Sequence, residues 1–147
     1  MLIPVDVGAA VESKPVPNGM YGLQITECVE AKSKAGNAQF VVSIGIEGHE
    51  DAPQVQHYVS LPTPGEDAKK MAYKALLLKR FLHLFKQPIP NAIDTEKMAM
   101  GMVGAKAKAE LQLSEPDDNS RIYNRLQVPY LPDEGNKETN VGSPPKR

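Results

Sequence analysis

The most constraining feature of this 147-residue chain is an order: three stretches of alternating apolar and polar residues, one helix-periodic stretch, then two more alternating stretches. Apolar residues at every second position give a strand one buried and one wet face; recurrence every three to four residues gives a helix its buried stripe. The first alternating stretch begins at Gly19 and Met20, with Tyr21, Leu23 and Ile25 set against Gly22, Gln24 and Thr26. The alternation slips near Glu27 and Cys28, which predicts a β-bulge. Turn chemistry follows in Lys32, Ser33, Lys34, Ala35, Gly36 and Asn37, where Gly36 and Asn37 tolerate positive φ. The second strand sets Phe40, Val42, Ile44 and Ile46 against Val41, Ser43, Gly45 and Glu47. After the polar GHEDAP turn, the third sets Val55, His57, Val59 and Leu61 against Gln54, Gln56, Tyr58 and Ser60.

Pro62 and Pro64 stop that strand, and Glu66 and Asp67 favour the positive end of a helix dipole. The helix is expected from about Glu66 to Lys86, ahead of Pro88 and Pro90. Met71, Ala75, Leu78, Leu82 and Phe85 form its apolar face, which Tyr73, Leu77, Phe81 and Leu84 widen beyond what one sheet requires. Either residues 1 to 18 or a second copy of the chain is expected to cover the surplus. A fourth strand is expected with Val103, Ala105, Ala107, Ala109, Leu111 and Leu113 inward and Gly104, Lys106, Lys108, Glu110 and Gln112 outward. After the SEPDDNS loop, a fifth strand sets Ile122, Leu126 and Val128 against Arg121, Tyr123, Arg125 and Gln127. The expected organisation is an N-terminal arm at 1–18, a domain at 19–131 and a flexible tail at 132–147, where no apolar period survives.

The order β-β-β-α-β-β is what an OB-fold needs: a mainly β, five-stranded Greek-key barrel with one helix between strands 3 and 4. Small alanines at the inward positions of the fourth strand suit a crowded barrel interior. The lone Cys28 excludes an intrachain disulfide, and no Cys/His spacing is that of a zinc site. His49, His57 and His83 lie on separate segments, so no metal is expected and His57 reads as a core or barrel-rim residue. Phosphate-binding glycine motifs are missing, and the paired acids Glu66-Asp67, Asp117-Asp118 and Asp133-Glu134 lie in loop-like stretches. Neither an enzyme nor a cofactor is expected. No apolar run reaches the ~18 residues of a membrane span, and the start MLIPVDVGAA lacks the features of a signal peptide. A cytoplasmic setting is the expectation.

Three stretches carry a family resemblance: PVPNGMYGLQITECVEAKSKAGNAQFVVSIGIE at 15–47, ALLLKRFLHLF at 75–85 and NSRIYNRLQVPYLP at 119–132. The chain resembles the small OB-fold single-stranded-DNA-binding proteins of phages and prophages, long catalogued as a domain of unknown function. The first stretch resembles that family's Pro-x-Gly-x-Tyr opening and Ser-Lys-x-Gly-Asn turn; the third resembles its Arg-x-x-Asn-Arg strand ending in Leu-Pro. The resemblance implies single-stranded DNA as ligand, a role in phage DNA replication or recombination inside the bacterial host, and replication or recombination proteins as partners. One departure stands out. Bacterial-type single-strand binders often end in an acidic recruiting tip, whereas this tail ends Pro144, Pro145, Lys146, Arg147.

Binding a single strand takes cations for the phosphates and aromatic faces for the bases. If the fourth and fifth strands pair through SEPDDNS, Lys106 and Lys108 share a surface with Arg121, Tyr123 and Arg125. Tyr58 projects from the third strand, on the face where OB-folds take ligands, and Lys32 and Lys34 flank the first turn. Tyr58 and Tyr123 are therefore expected to stack bases, while Lys32, Lys34, Lys106, Lys108, Arg121 and Arg125 meet phosphate. The same cations also fit an ordinary solvated sheet face, and Tyr58 also fits packing with a wet hydroxyl. Lys69, Lys70, Lys74, Lys79, Arg80 and Lys86 read as the solvated side of the helix, with a secondary DNA track as the other reading. The net charge of −1 is a cancellation between such basic stretches and acids such as Glu115, Asp117 and Asp118. The rival function is an OB-fold interaction module that binds a host or phage replication protein.

Overall fold

A computed structural model describes residues 1–9 and 13–132. The strands are β1 (Gly19–Lys32), β2 (Ala38–Ile46), β3 (Val55–Ser60), β4 (Lys106–Leu113) and β5 (Asn124–Gln127); the helices α1 (Ala68–Leu84) and α2 (Thr95–Met102) separate β3 from β4. All strand pairs are antiparallel, in the order β3-β2-β1-β4-β5, and the sheet curls into a nearly closed OB-like barrel. Antiparallel steps along that order make β3 and β5, the two ends of the sheet, run in the same direction.

Alternation sets the register. Phe40, Val42, Ile44 and Ile46 are buried along β2, and the residues between them reach the outer surface. The long β1 serves two neighbours. Gly19–Gln24 pairs with β4 and Leu23–Lys32 with β2, with the register slip between Ile25 and Glu27. The extra residue, Thr26, turns its hydroxyl to the Ser43 carbonyl (3.2 Å) and to Gln54 Oε1 (2.9 Å). That bulge bends one strand so that it belongs to both walls of the barrel. Gly36, at φ 87°, makes the β1–β2 turn, a conformation that would strain a residue with a Cβ.

Asp67 caps α1 by accepting from the Lys69 backbone N–H at 3.1 Å. Leu78, Phe81 and Leu82 enter the core from the C-terminal half of α1, and Phe85 from its C-cap, so that end plugs the barrel. The widened apolar arc is only partly used: Leu77 and Leu84 are half-buried, whereas Tyr73 stays exposed. Residues 1–9 are exposed and leave Tyr73 uncovered. The later part of the arm does dock: Val16 is buried, and Asn18 Oδ1 accepts from the Leu113 backbone N–H at 2.6 Å.

Two expectations need correction. Residues 95–102 form α2, which the strand pattern overlooked, so β4 begins at Lys106 rather than at Val103. Asp94 caps α2 through the Lys97 N–H (3.1 Å), Met102 is buried beneath it, and Gly104 at φ 94° turns the chain into β4. The fifth strand is also shorter than expected, starting at Asn124. Ile122, expected inward, is exposed, and Asn124 takes the inward position instead. The tail expected from residue 132 lies, from 133 onward, outside the described residues.

Candidate nucleic-acid interface

The outer face of β1, β2 and β3 is built from cross-strand rows. Register places Val29, Val41 and Tyr58 side by side, with Glu27, Ser43 and Gln56 in the next row and Ala31, Gln39 and Ser60 on the other side. Tyr58 is 59% exposed and Val29 44%, so the middle row is an apolar strip with one aromatic ring standing free of the sheet. Ser43, diagonal to Tyr58 across β2, is small and leaves the exposed ring open to a flat ligand. Lys32 ends β1 and Lys34 sits in the turn, both exposed at the same end as Tyr58. The turn is tied by Ser33, whose N–H donates to the Asn37 carbonyl and whose carbonyl accepts from Gly36 N–H, both at 2.8 Å.

At the opposite end, the ten-residue loop 114–123 and the arm form a broad cleft of about 930 Å³, with Lys14, Pro15, Pro17, Pro53, Arg121 and Tyr123 among its walls. Asp117 builds this loop. Its Oδ1 accepts from the backbone N–H of Asn119 (2.8 Å) and Arg121 (2.9 Å), and those bonds hold its carboxyl below the usual range. Its charge is thus directed into its own turn. Tyr123 is 52% exposed, its backbone pinned to Ser114 at the stem of the loop. Lys14 carries no signal of this in the sequence, since Asp117, Arg121 and Tyr123, which share the cleft with it, are more than a hundred residues away along the chain.

Of the cations expected on one surface, Lys106, Lys108 and Arg125 do share the outer face of β4 and β5, spread along its length, whereas Arg121 does not. Lys106 and Lys108 lie opposite Gln24 and Gly22 of β1, and Lys106 stands 3.7 Å from Glu47 in an exposed pair that contributes little. Arg125 lies opposite Gln112, four residues further along β4 than Lys108, or roughly 13 Å at ~3.3 Å per residue. Arg121 and Tyr123 belong to the loop, because β5 is too short to carry them. What joins the two ends is β3 itself. From Pro53 in the cleft the outward side chains run through Gln54, Gln56 and Tyr58 toward the turn that carries Lys34, while Lys32, opposite Ala38, lies at the rim on the Phe40 side of the sheet. Glu27, Glu47, Glu50 and Asp51 border this track on the β1 side and the β2–β3 loop.

His57 points the other way. Its ring stacks on Phe81 at 5.3 Å, nearly parallel at 11°. Burial pushes its pKa down to about 4, helped by the positive charge of Arg125. Among the helix cations Lys74 pairs with Glu66, and Arg80 lies 4.5 Å above the Tyr130 ring. Among the described residues no three His, Cys, Asp or Glu side chains converge on a point that could hold a metal, and no helix is long and apolar enough to cross a membrane. Comparison with protein-family models and with curated proteins finds no match to this chain.

Proposed function

We propose that this protein binds single-stranded DNA with little sequence preference and acts in phage DNA replication or recombination. The observation that carries this reading is the β3 track. An exposed tyrosine on an apolar strip lies between a lysine-bearing turn and a cleft holding a second exposed tyrosine, Arg121 and Lys14. β3 rises roughly 17 Å over Val55–Ser60. With the cleft and turn added, the track suits a strand of several nucleotides, within the ~4–16 that one OB-fold covers. Bases stack on Tyr58 and Tyr123 while Lys32, Lys34, Lys14, Arg121 and Arg125 take phosphates. Lys106 and Lys108 sit outside this path and contribute general attraction. The family resemblance of residues 15–47 and 119–132 supports the same reading, as does the OB-like barrel.

The test is fluorescence anisotropy with labelled oligo-dT and the matching duplex over a salt series. The single strand should bind preferentially, with log affinity falling linearly in log salt by about 0.7 per phosphate contacted. Absence of saturable single-strand binding at low salt overturns the proposal. One observation favours the rival interaction module: Met1, Leu2, Ile3, Val5 and Val7 are all exposed, an apolar segment suited to a protein groove. A chain acting only through that segment would bind no oligonucleotide, and removing residues 1–9 would abolish its partner binding.

A further inference from the structure

The two ends of the curled sheet do not pair with each other. β3 bonds only to β2 and β5 only to β4 among the described residues, although the two run side by side. Which backbone groups face the gap follows from the ladder. Leu61 N–H donates to the Ala38 carbonyl, so Leu61, Val59 and His57 direct their backbone groups to β2. By alternation, the N–H and C=O of Tyr58 and Ser60 face β5. On the other side Ser114 N–H donates to the Tyr123 carbonyl, so Arg125 and Gln127 are bonded toward β4, and the backbones of Leu126 and Val128 face β3. Those four residues line a cavity of about 220 Å³, with His57, Val59 and Leu77 also in its wall. Arg80 stands at its rim, held over Tyr130.

The cavity is smaller than the ~300–1,000 Å³ of pockets that enclose drug-sized molecules, and too small for an added peptide strand, which needs ~4.8 Å on each side. It suits one flat heterocycle. A nucleobase edge offers N–H and C=O groups in one plane, the pattern that an unpaired strand edge offers in return. We propose that the cavity between β3 and β5 is a slot for one base of the bound strand, its edge hydrogen-bonded to the Tyr58 and Ser60 backbone of β3 and its body resting against Leu126 and Val128. The slot rests on the single-strand reading and adds to it a base held within the barrel wall, beside the stacking surface of Tyr58. Apolar carbon from Leu77, Leu126 and Val128 lies against the inner side of the ring, and the sugar and phosphates stay outside.

Amide-resolved NMR of the full chain tests this, using oligo-dT and, as a second probe, an abasic strand of equal length. With oligo-dT the amides of Tyr58, Ser60, Leu126 and Val128 should shift, whereas the abasic strand should move the amides near Lys32, Lys34 and Arg121 and leave those four in place. The cavity-filling variant Val128→Phe should weaken oligo-dT binding about 5-fold or more, with the salt slope unchanged. Its own amide spectrum checks that it folds, and the wild-type shifts decide the matter if it does not. Saturable oligo-dT binding that leaves the four amides still, or an abasic strand that moves them equally, overturns the slot and leaves single-strand binding intact. No binding of either strand overturns both.

Discussion

Replacing Asn124 by Asp alters one terminal group of a buried side chain and should make the stability of the protein depend on pH in a specific way. Asn124 is 5% exposed, and its amide grips the arm from both sides: Oδ1 accepts from Val16 N–H at 3.0 Å and Nδ2 donates to the Val16 carbonyl at 2.8 Å. In Asn124→Asp the first bond survives, but the second becomes a carboxylate oxygen facing a carbonyl oxygen. The lost bond costs about 1 kcal/mol, and the unpaired buried groups add about 2 kcal/mol more, so roughly 3 kcal/mol is expected at pH 7. That loss corresponds to about two pKa units at 1.36 kcal/mol each, which raises the folded carboxyl from ~3.9 to about 6. Since the folded value lies above the unfolded one, the penalty is absent below about pH 4, where the neutral acid can accept from Val16 N–H and donate to its carbonyl. It grows through pH 4–6 and is complete above. The chain has no Trp, so urea unfolding followed by far-UV circular dichroism is the assay, wild type and variant side by side at each pH. A difference that is flat with pH, or below about 1 kcal/mol at pH 7, refutes the reasoning.

His57 gives the wild type its own pH dependence. Its folded pKa of about 4 lies below the ~6.5 of the unfolded chain, so stability should fall by on the order of 3 kcal/mol as pH drops from 6.5 to 4. His57→Gln should remove that slope, and an unchanged slope would assign it to other groups. Tyr58→Ala and Tyr123→Ala should each weaken oligo-dT binding by about 1–3 kcal/mol. Both rings are more than half exposed, so the urea midpoint should hold; equal affinity with equal folding would return them to plain surface residues. Arg121→Ala with Arg125→Ala should flatten the salt slope by about 1.4, two phosphates at ~0.7 each, and a wild-type slope would place the phosphates elsewhere. Burial pushes the Cys28 thiol up to about 11, so a thiol reagent at pH 8 should label it only in urea. Rapid labelling of the native protein would show that the thiol is open.

The barrel was legible because most of its strands have one buried face, so that alternation in β2 and β3 could be read directly. α2 was not, since two turns are too short for a period to stand out, although Asp94 before Thr95 was a capping signal and Met98 and Met102 lie one turn apart. The outward aim of Tyr58 followed from parity alone. The place of Arg121 and Tyr123 did not, because it depends on where β5 starts. The Asp117 turn lengthens the preceding loop, drawing Arg121 and Tyr123 off the strand and toward Lys14. The inward Asn124 carries no sequence signal of its own, and its purpose emerges only with Val16 beside it.

The double allegiance of β1 also sets the order in which a growing chain can assemble. Its half from Leu23 onward finds β2 almost at once, and β3 soon after, through contacts close in sequence. The edge at Gly19–Gln24 waits until residues 106–111 have been synthesised, with Leu23 and Ile25 lacking part of their cover meanwhile. An open, apolar-backed edge is a template for pairing with another chain. A single cut between residues 86 and 94 would leave this molecule as a three-stranded meander and a two-stranded hairpin, each half dependent on the other for its missing wall.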